Sequence, residues 1–132
     1  MITIYGEPRG KGRPKFANKG KFVTTYTPKE TASYENLIKV EYREQGGKYY
    51  PDNPLTCTIY AFYSIPKSTS KKKQELMKSK DIRPTKKPDV DNIAKVVLDA
   101  LNGVAYRDDT QITDLIVRKY YSEVPRLDIE IK

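Results

Sequence analysis

The chain has 132 residues, 25 of them lysine or arginine against 17 aspartate or glutamate, giving a net charge of +8 and a pI near 9.4. It contains no histidine and one cysteine, Cys57, which excludes Ser-His-Asp and Cys-His nucleophiles, the usual zinc and iron sites, and an internal disulfide. That length suits one domain with one modest core, spanning 1–132. A lone thiol, no apolar run of about twenty residues and no charged-then-apolar leader predict a cytoplasmic protein, neither membrane-spanning nor secreted by that route.

In chain order, "MITIYG" predicts a short strand with Ile2 and Ile4 on one side. "EPRGKGRPKFANKGKF" reads as a Gly/Pro/Lys-rich loop, a basic arm, and "KFVTTY" as a second short strand. "TPKE" starts a helix, with Thr27 as N-cap, Pro28 in the first position and Glu30 three residues after the cap. That helix should run to Gly46-Gly47 and bury Tyr34, Leu37, Ile38 and Tyr42. "PLTCTIYAFYSIP" is the clearest strand: Leu55, Cys57, Ile59, Ala61, Tyr63 and Ile65 alternate with Thr56, Thr58, Tyr60, Phe62 and Ser64. "STSKKKQELMKSK" predicts a short, very basic helix and "DIRPTKKP" a proline-interrupted linker. A further helix and a turn fill "KPDVDNIAKVVLDALNGVAYRDDTQ", and "ITDLIVRKYY" and "RLDIEIK" read as a strand pair around "SEVP". The reading is an α+β domain, a mixed β-sheet flanked by helices.

The positive charge falls in two blocks. Lys67 to Lys87 holds nine basic residues against Glu75 and Asp81, and Glu7 to Lys21 holds six against one acid. Blocks of this kind suit a polyanion, because each phosphate neutralised releases condensed counterions. Lys71, Lys72, Lys73, Arg83, Lys86, Lys87 and Arg13 are the candidates for gripping nucleic acid.

Against this background, five aspartates (Asp89, Asp91, Asp99, Asp108, Asp109) gather between residues 87 and 109. On a helical wheel Ile93, Val96, Val97, Ala100 and Leu101 form a core face. Asp91, Lys95 and Asp99 line the opposite face at i, i+4 and i+8, and Asn102-Gly103 supplies the stop. Carboxylates from a helix N-terminus and a nearby turn make an all-oxygen site suited to Mg²⁺ or Mn²⁺. A lysine one turn away can stabilise charge on a phosphate. Each residue also admits a plain structural role: Asp89 or Asp91 as helix cap, Asp91–Lys95 as an i,i+4 pair, Asp108-Asp109 as turn formers.

"KPDVDNIAKVVLDALNGVAYRDDTQI" strongly resembles RusA-type Holliday junction resolvases, small Mg²⁺-dependent endodeoxyribonucleases. "GKGRPKF" and "YTPKET" match the family's looser N-terminal features, so the resemblance covers most of the chain. It implies that Asp89, Asp91 and Asp109 bind the metal, with Asp108 able to exchange roles with Asp109. It implies that Lys95 is the catalytic lysine, and Lys119 matches a basic position that contacts DNA. It further implies a homodimer of α+β subunits whose two active sites nick opposing strands of a four-way junction by metal-assisted phosphodiester hydrolysis. Competing readings are a non-catalytic DNA-binding module, a metal-dependent nuclease acting on forks or flaps, and an adaptor that places its basic segments on an acidic protein.

Overall fold

The computed structural model describes the backbone of residues 1–12, 15–19, 22–26 and 29–132, and the side chains of 1–12 and 29–132. Arg13 and the expected cap Thr27-Pro28 lie outside the described residues. The strands are β1 (Ile2–Tyr5), β2 (Lys15–Lys19), β3 (Phe22–Tyr26), β4 (Leu55–Ser64), β5 (Ile112–Ser122) and β6 (Arg126–Ile131). The helices are α1 (Lys29–Glu44), α2 (Lys71–Lys78) and α3 (Val90–Leu101).

Four strands form one mixed sheet in the order β1-β6-β4-β5. β4 occupies the interior because its alternation is the most complete: Leu55, Cys57, Ile59, Ala61 and Tyr63 all face the core and are buried. It pairs with β5 in parallel and with β6 antiparallel. The expected pairing of the two C-terminal strands across "SEVP" therefore does not form, because β4 lies between them. β5 carries Leu115 and Ile116 at 45% and 41% exposure, which an edge strand tolerates and an interior one does not. Joining β4 to a parallel β5 requires a crossover, which α2 and α3 provide. Residues 15–19, read as loop, instead form β2, an antiparallel partner of β3 in a separate two-stranded sheet. Composition pointed to a loop there, but cross-strand hydrogen bonds with β3 override it.

α3 is amphipathic as its spacing requires. Ile93, Val96, Val97 and Leu101 are fully buried, joined by Ala94 and Ala100. Burying those four large side chains contributes roughly 6–12 kcal/mol before the entropy of ordering the helix is subtracted. α1 packs across it through Tyr34, Ile38 and Tyr42, with Thr31 also buried. Leu37, expected in that stripe, is 39% exposed, since it sits roughly 100° around the helix from the stripe's centre. Gly46 ends α1 with φ +79°. A Cβ on Gly47 would stand 2.3 Å from the Tyr42 ring, so only glycine fits beneath that tyrosine. Among the described residues no helix is long and apolar enough to cross a membrane.

Candidate active site

α3 begins with Asp89 as its N-cap, in extended backbone (φ −72°, ψ 159°), with its carbonyl accepting the first helical bond from the Ile93 N–H at 3.0 Å. Aspartate is favoured at an N-cap because its carboxylate accepts an orphan N–H. Here the carboxylate makes no such bond and points to solvent. Asp91 and Lys95 are also exposed, and among the described residues no ion pair joins them. Asp89 thus occupies the N-cap position without a side-chain cap bond, and the i,i+4 pair of Asp91 with Lys95 does not form.

Asp108 does serve the turn. Its carboxylate accepts from the Asp109 N–H at 3.0 Å and from the Thr110 hydroxyl at 2.9 Å. The Gln111 side-chain oxygen accepts in return from the N–H groups of Asp108 and Arg107. Asp109 opens a single 3-10 turn, Asp109–Gln111. Burial, then the neighbouring carboxylates of Asp108 and Asp99, push its carboxyl above the ordinary range.

These residues occupy opposite ends of α3. Asp109 is close enough to Asp99 to feel its charge, and Asp99 lies ten residues along the helix from Asp89, roughly 15 Å at the α-helical rise. Among the described residues, no three acidic side chains of one copy stand close enough to hold an ion. The donor chemistry at Asp89 and Asp91 suits a hard divalent cation, but one protomer supplies only these two carboxylates at that end.

Lys86, Lys87 and Lys119 stand at the Asp89 end. The linker after α2 crosses the C-terminal ends of β4 and β5. Its Arg83 guanidinium lies over the Tyr120 ring at 4.6 Å and Lys80 over the same ring at 4.9 Å. Lys86 and Lys119 both stand over Tyr63, at 6.0 and 5.0 Å. Burial lowers the Lys119 pKa, while the charge of Asp89 works in the other direction. Lys87 is exposed and lines, with Gly10, Lys11, Pro88, Asp89 and Asn92, an open recess of about 400 Å³. Lys71, Lys72 and Lys73 are exposed on the first turn of α2.

Several residues with no expected site role lie against this end. Lys11 donates its N–H to the Asn92 carbonyl at 3.1 Å. Its ammonium bridges Glu35 of α1 and Asp99 of α3, the latter at 3.2 Å. A Cβ on Gly10 would stand 2.9 Å from the Asn92 Cβ and 3.0 Å from the Pro88 Cβ, so glycine lets this segment lie against the start of α3. Its place in "GKGRPKF", a stretch that matches the family's N-terminal features, was the hint. Tyr63 read as one more core position of a strand, yet its hydroxyl donates to the Pro88 carbonyl at 2.6 Å.

A family model described as endodeoxyribonuclease RusA matches residues 5–132. The chain is also 36% identical, over 133 residues, to the uncharacterized protein YqaN of Bacillus subtilis (strain 168), an alignment covering 99% of this chain and 94% of that one.

Proposed function

The chain belongs to the RusA endodeoxyribonuclease family, and we propose that it is a divalent-metal-dependent endonuclease that resolves four-way DNA junctions by paired nicks as a homodimer. The observation that carries this reading is the N-cap aspartate that does not cap. Asp89 presents a solvent-facing carboxylate in a recess lined by Lys87, next to Lys119. A carboxylate repels an arriving phosphate unless a cation stands between them.

Asp89 and Asp91 of one copy, with Asp109 of a second, would hold Mg²⁺ or Mn²⁺. The bound ion supplies Lewis-acid polarisation of a phosphoryl oxygen and a water of lowered pKa. Lys95, one helical turn past Asp91, stabilises the charge gathering on the phosphate. Lys71, Lys72, Lys73, Arg83, Lys86, Lys87 and Lys119 grip backbone phosphates, which positions the DNA without reading its sequence.

The case for two copies rests on β5. It is an eleven-residue edge strand, and so long an edge invites pairing. Leu115 and Val117 form an apolar recess with Val90, Asp91 and Ala94. Antiparallel pairing of two β5 strands about Val117 sets Ile112 of one copy opposite Ser122 of the other. The turn bearing Asp109 is then carried to the Lys119–Asp89 end of its partner.

The test is subunit complementation. Asp89→Asn and Asp109→Asn chains, co-expressed with different tags and purified as mixed dimers, regain one intact site. They nick one strand of a synthetic junction in Mg²⁺ although each parent dimer is inactive. Inactive mixed dimers would place all ligands in one copy. Wild-type chains that bind the junction but leave it uncut in Mg²⁺ and Mn²⁺ would remove the catalytic reading altogether.

A further inference from the structure

The linker that delivers Asp89 has little structure of its own. Among the described residues, no main-chain to main-chain hydrogen bond involves positions 83–88. Three bonds from the sheet and the linker's own side chains hold it instead. The Tyr63 hydroxyl donates to the carbonyl oxygen of Pro88 at 2.6 Å. The Lys119 ammonium donates to the carbonyl oxygen of Lys86 at 2.5 Å, and the Arg83 Nε–H donates to the carbonyl oxygen of Lys119 at 3.0 Å.

Tyr63 is the most consequential of these. Its ring is buried in the core on the central strand, and Ala61, two residues before it, pairs with Lys119 on β5. The hydroxyl reaches out of that rigid setting to the peptide that joins Pro88 to Asp89. Phenylalanine would fill the same core volume, so packing does not require the hydroxyl. Fixing the Pro88 carbonyl fixes the plane from which the Asp89 backbone departs, and with it the direction of a carboxylate that no cap bond restrains.

We propose that Tyr63 is a positioning residue: through the Pro88 carbonyl it aims the Asp89 carboxylate for divalent-cation binding. The inference rests on the reading of Asp89 as a metal ligand. Partners one shell out from a metal typically change its affinity by 10–100-fold when removed.

Tyr63→Phe replaces one neutral side chain with another, so the local charge is unchanged and only the aim is lost. Mn²⁺ titrations of the full chain, followed by loss of the free-ion paramagnetic resonance signal, should show affinity weakened by about tenfold. Junction binding in EDTA, which reports the phosphate grip, should stay near wild type, and the thermal melt in EDTA, which reports the fold, should fall by no more than about 5 °C, the loss of one hydrogen bond. Junction cleavage should fall at low Mn²⁺ and recover when the ion is raised, moving the metal requirement rather than the junction KM. If Tyr63→Phe binds Mn²⁺ like wild type while Asp89→Asn binds it weakly, the positioning role is wrong and the ligand reading survives. If Asp89→Asn also binds like wild type, both fall together.

Discussion

Replacing Lys11 with methionine should destabilise the protein by about 2 kcal/mol. The Lys11 ammonium bridges Glu35 and Asp99, and the three side chains are 16%, 16% and 34% exposed. Burial opposes its charge, but the hydrogen bonds and charges of the two carboxylates outweigh burial and raise its pKa above the ordinary lysine value. Breaking a fully buried pair at one partner costs about 3–5 kcal/mol, and a surface pair is worth about 0–1 kcal/mol. This bridge stands between those limits, and its loss leaves Glu35 and Asp99 unneutralised between α1 and α3. For a chain of 132 residues each kcal/mol moves Tm by about 3–4 °C, so Lys11→Met should melt about 7 °C lower at neutral pH. Glu35→Gln and Asp99→Asn should each cost less, Asp99→Asn least, because the lysine keeps one partner and Asp99 is the more exposed. Calorimetric melts of the three variants at low and moderate salt test this order. A Lys11→Met melt within 1–2 °C of wild type would show that desolvation cancels the attraction and that the bridge does not hold the N-terminal segment to the helices.

Asp109→Asn should lower junction cleavage on the order of 100-fold or more with binding retained, while Asp108→Asn, whose amide oxygen can still accept from the Asp109 N–H although its amide nitrogen cannot accept from the Thr110 hydroxyl, should stay within a few-fold; equal losses in a strand-cleavage assay would contradict their separate roles. Replacing Lys71, Lys72 and Lys73 together by alanine should flatten the slope of log K against log salt by about 2–3, since each lost phosphate contact removes about 0.9. An unchanged slope in fluorescence anisotropy would take α2 off the DNA. Stability should fall steeply between pH 9 and 12. Burial lifts the Tyr34 and Tyr42 phenols and the Cys57 thiol to about 12, and the Tyr63 and Tyr106 phenols further in the same direction. A raised folded-state pKa means that the unfolded chain releases its protons first as pH rises, so stability is full below about pH 8, starts to fall as the unfolded thiol titrates, and declines by on the order of several kcal/mol by pH 12. A urea midpoint unchanged from pH 8 to 11 would refute that.

Consecutive residues carry local periodicity, and what rests on it was legible in the sequence. The buried stripe of α3, the alternation of β4, the glycine stops after α1 and α3 and the exposed row of Asp91 and Lys95 all follow from spacings within one element. The gathering of aspartates and the basic blocks were equally plain, because charge is read directly from composition. Tertiary structure decided everything that depends on which surfaces meet. β4 slipped between β5 and β6 because the strand with the most complete buried face belongs in the interior. β2 formed because β3 offered a partner, against its loop-like composition. Leu37 fell outside a stripe whose centre was set by contact with α3 and β1. The acidic residues were the sharpest case. Asp89 and Asp109 are twenty positions apart in sequence, yet the rigid helix between them keeps them at opposite ends of α3. Tyr63, Gly10 and Lys11 reached the Asp89 end only through contacts between distant parts of the chain, and no spacing rule within one element encodes such contacts.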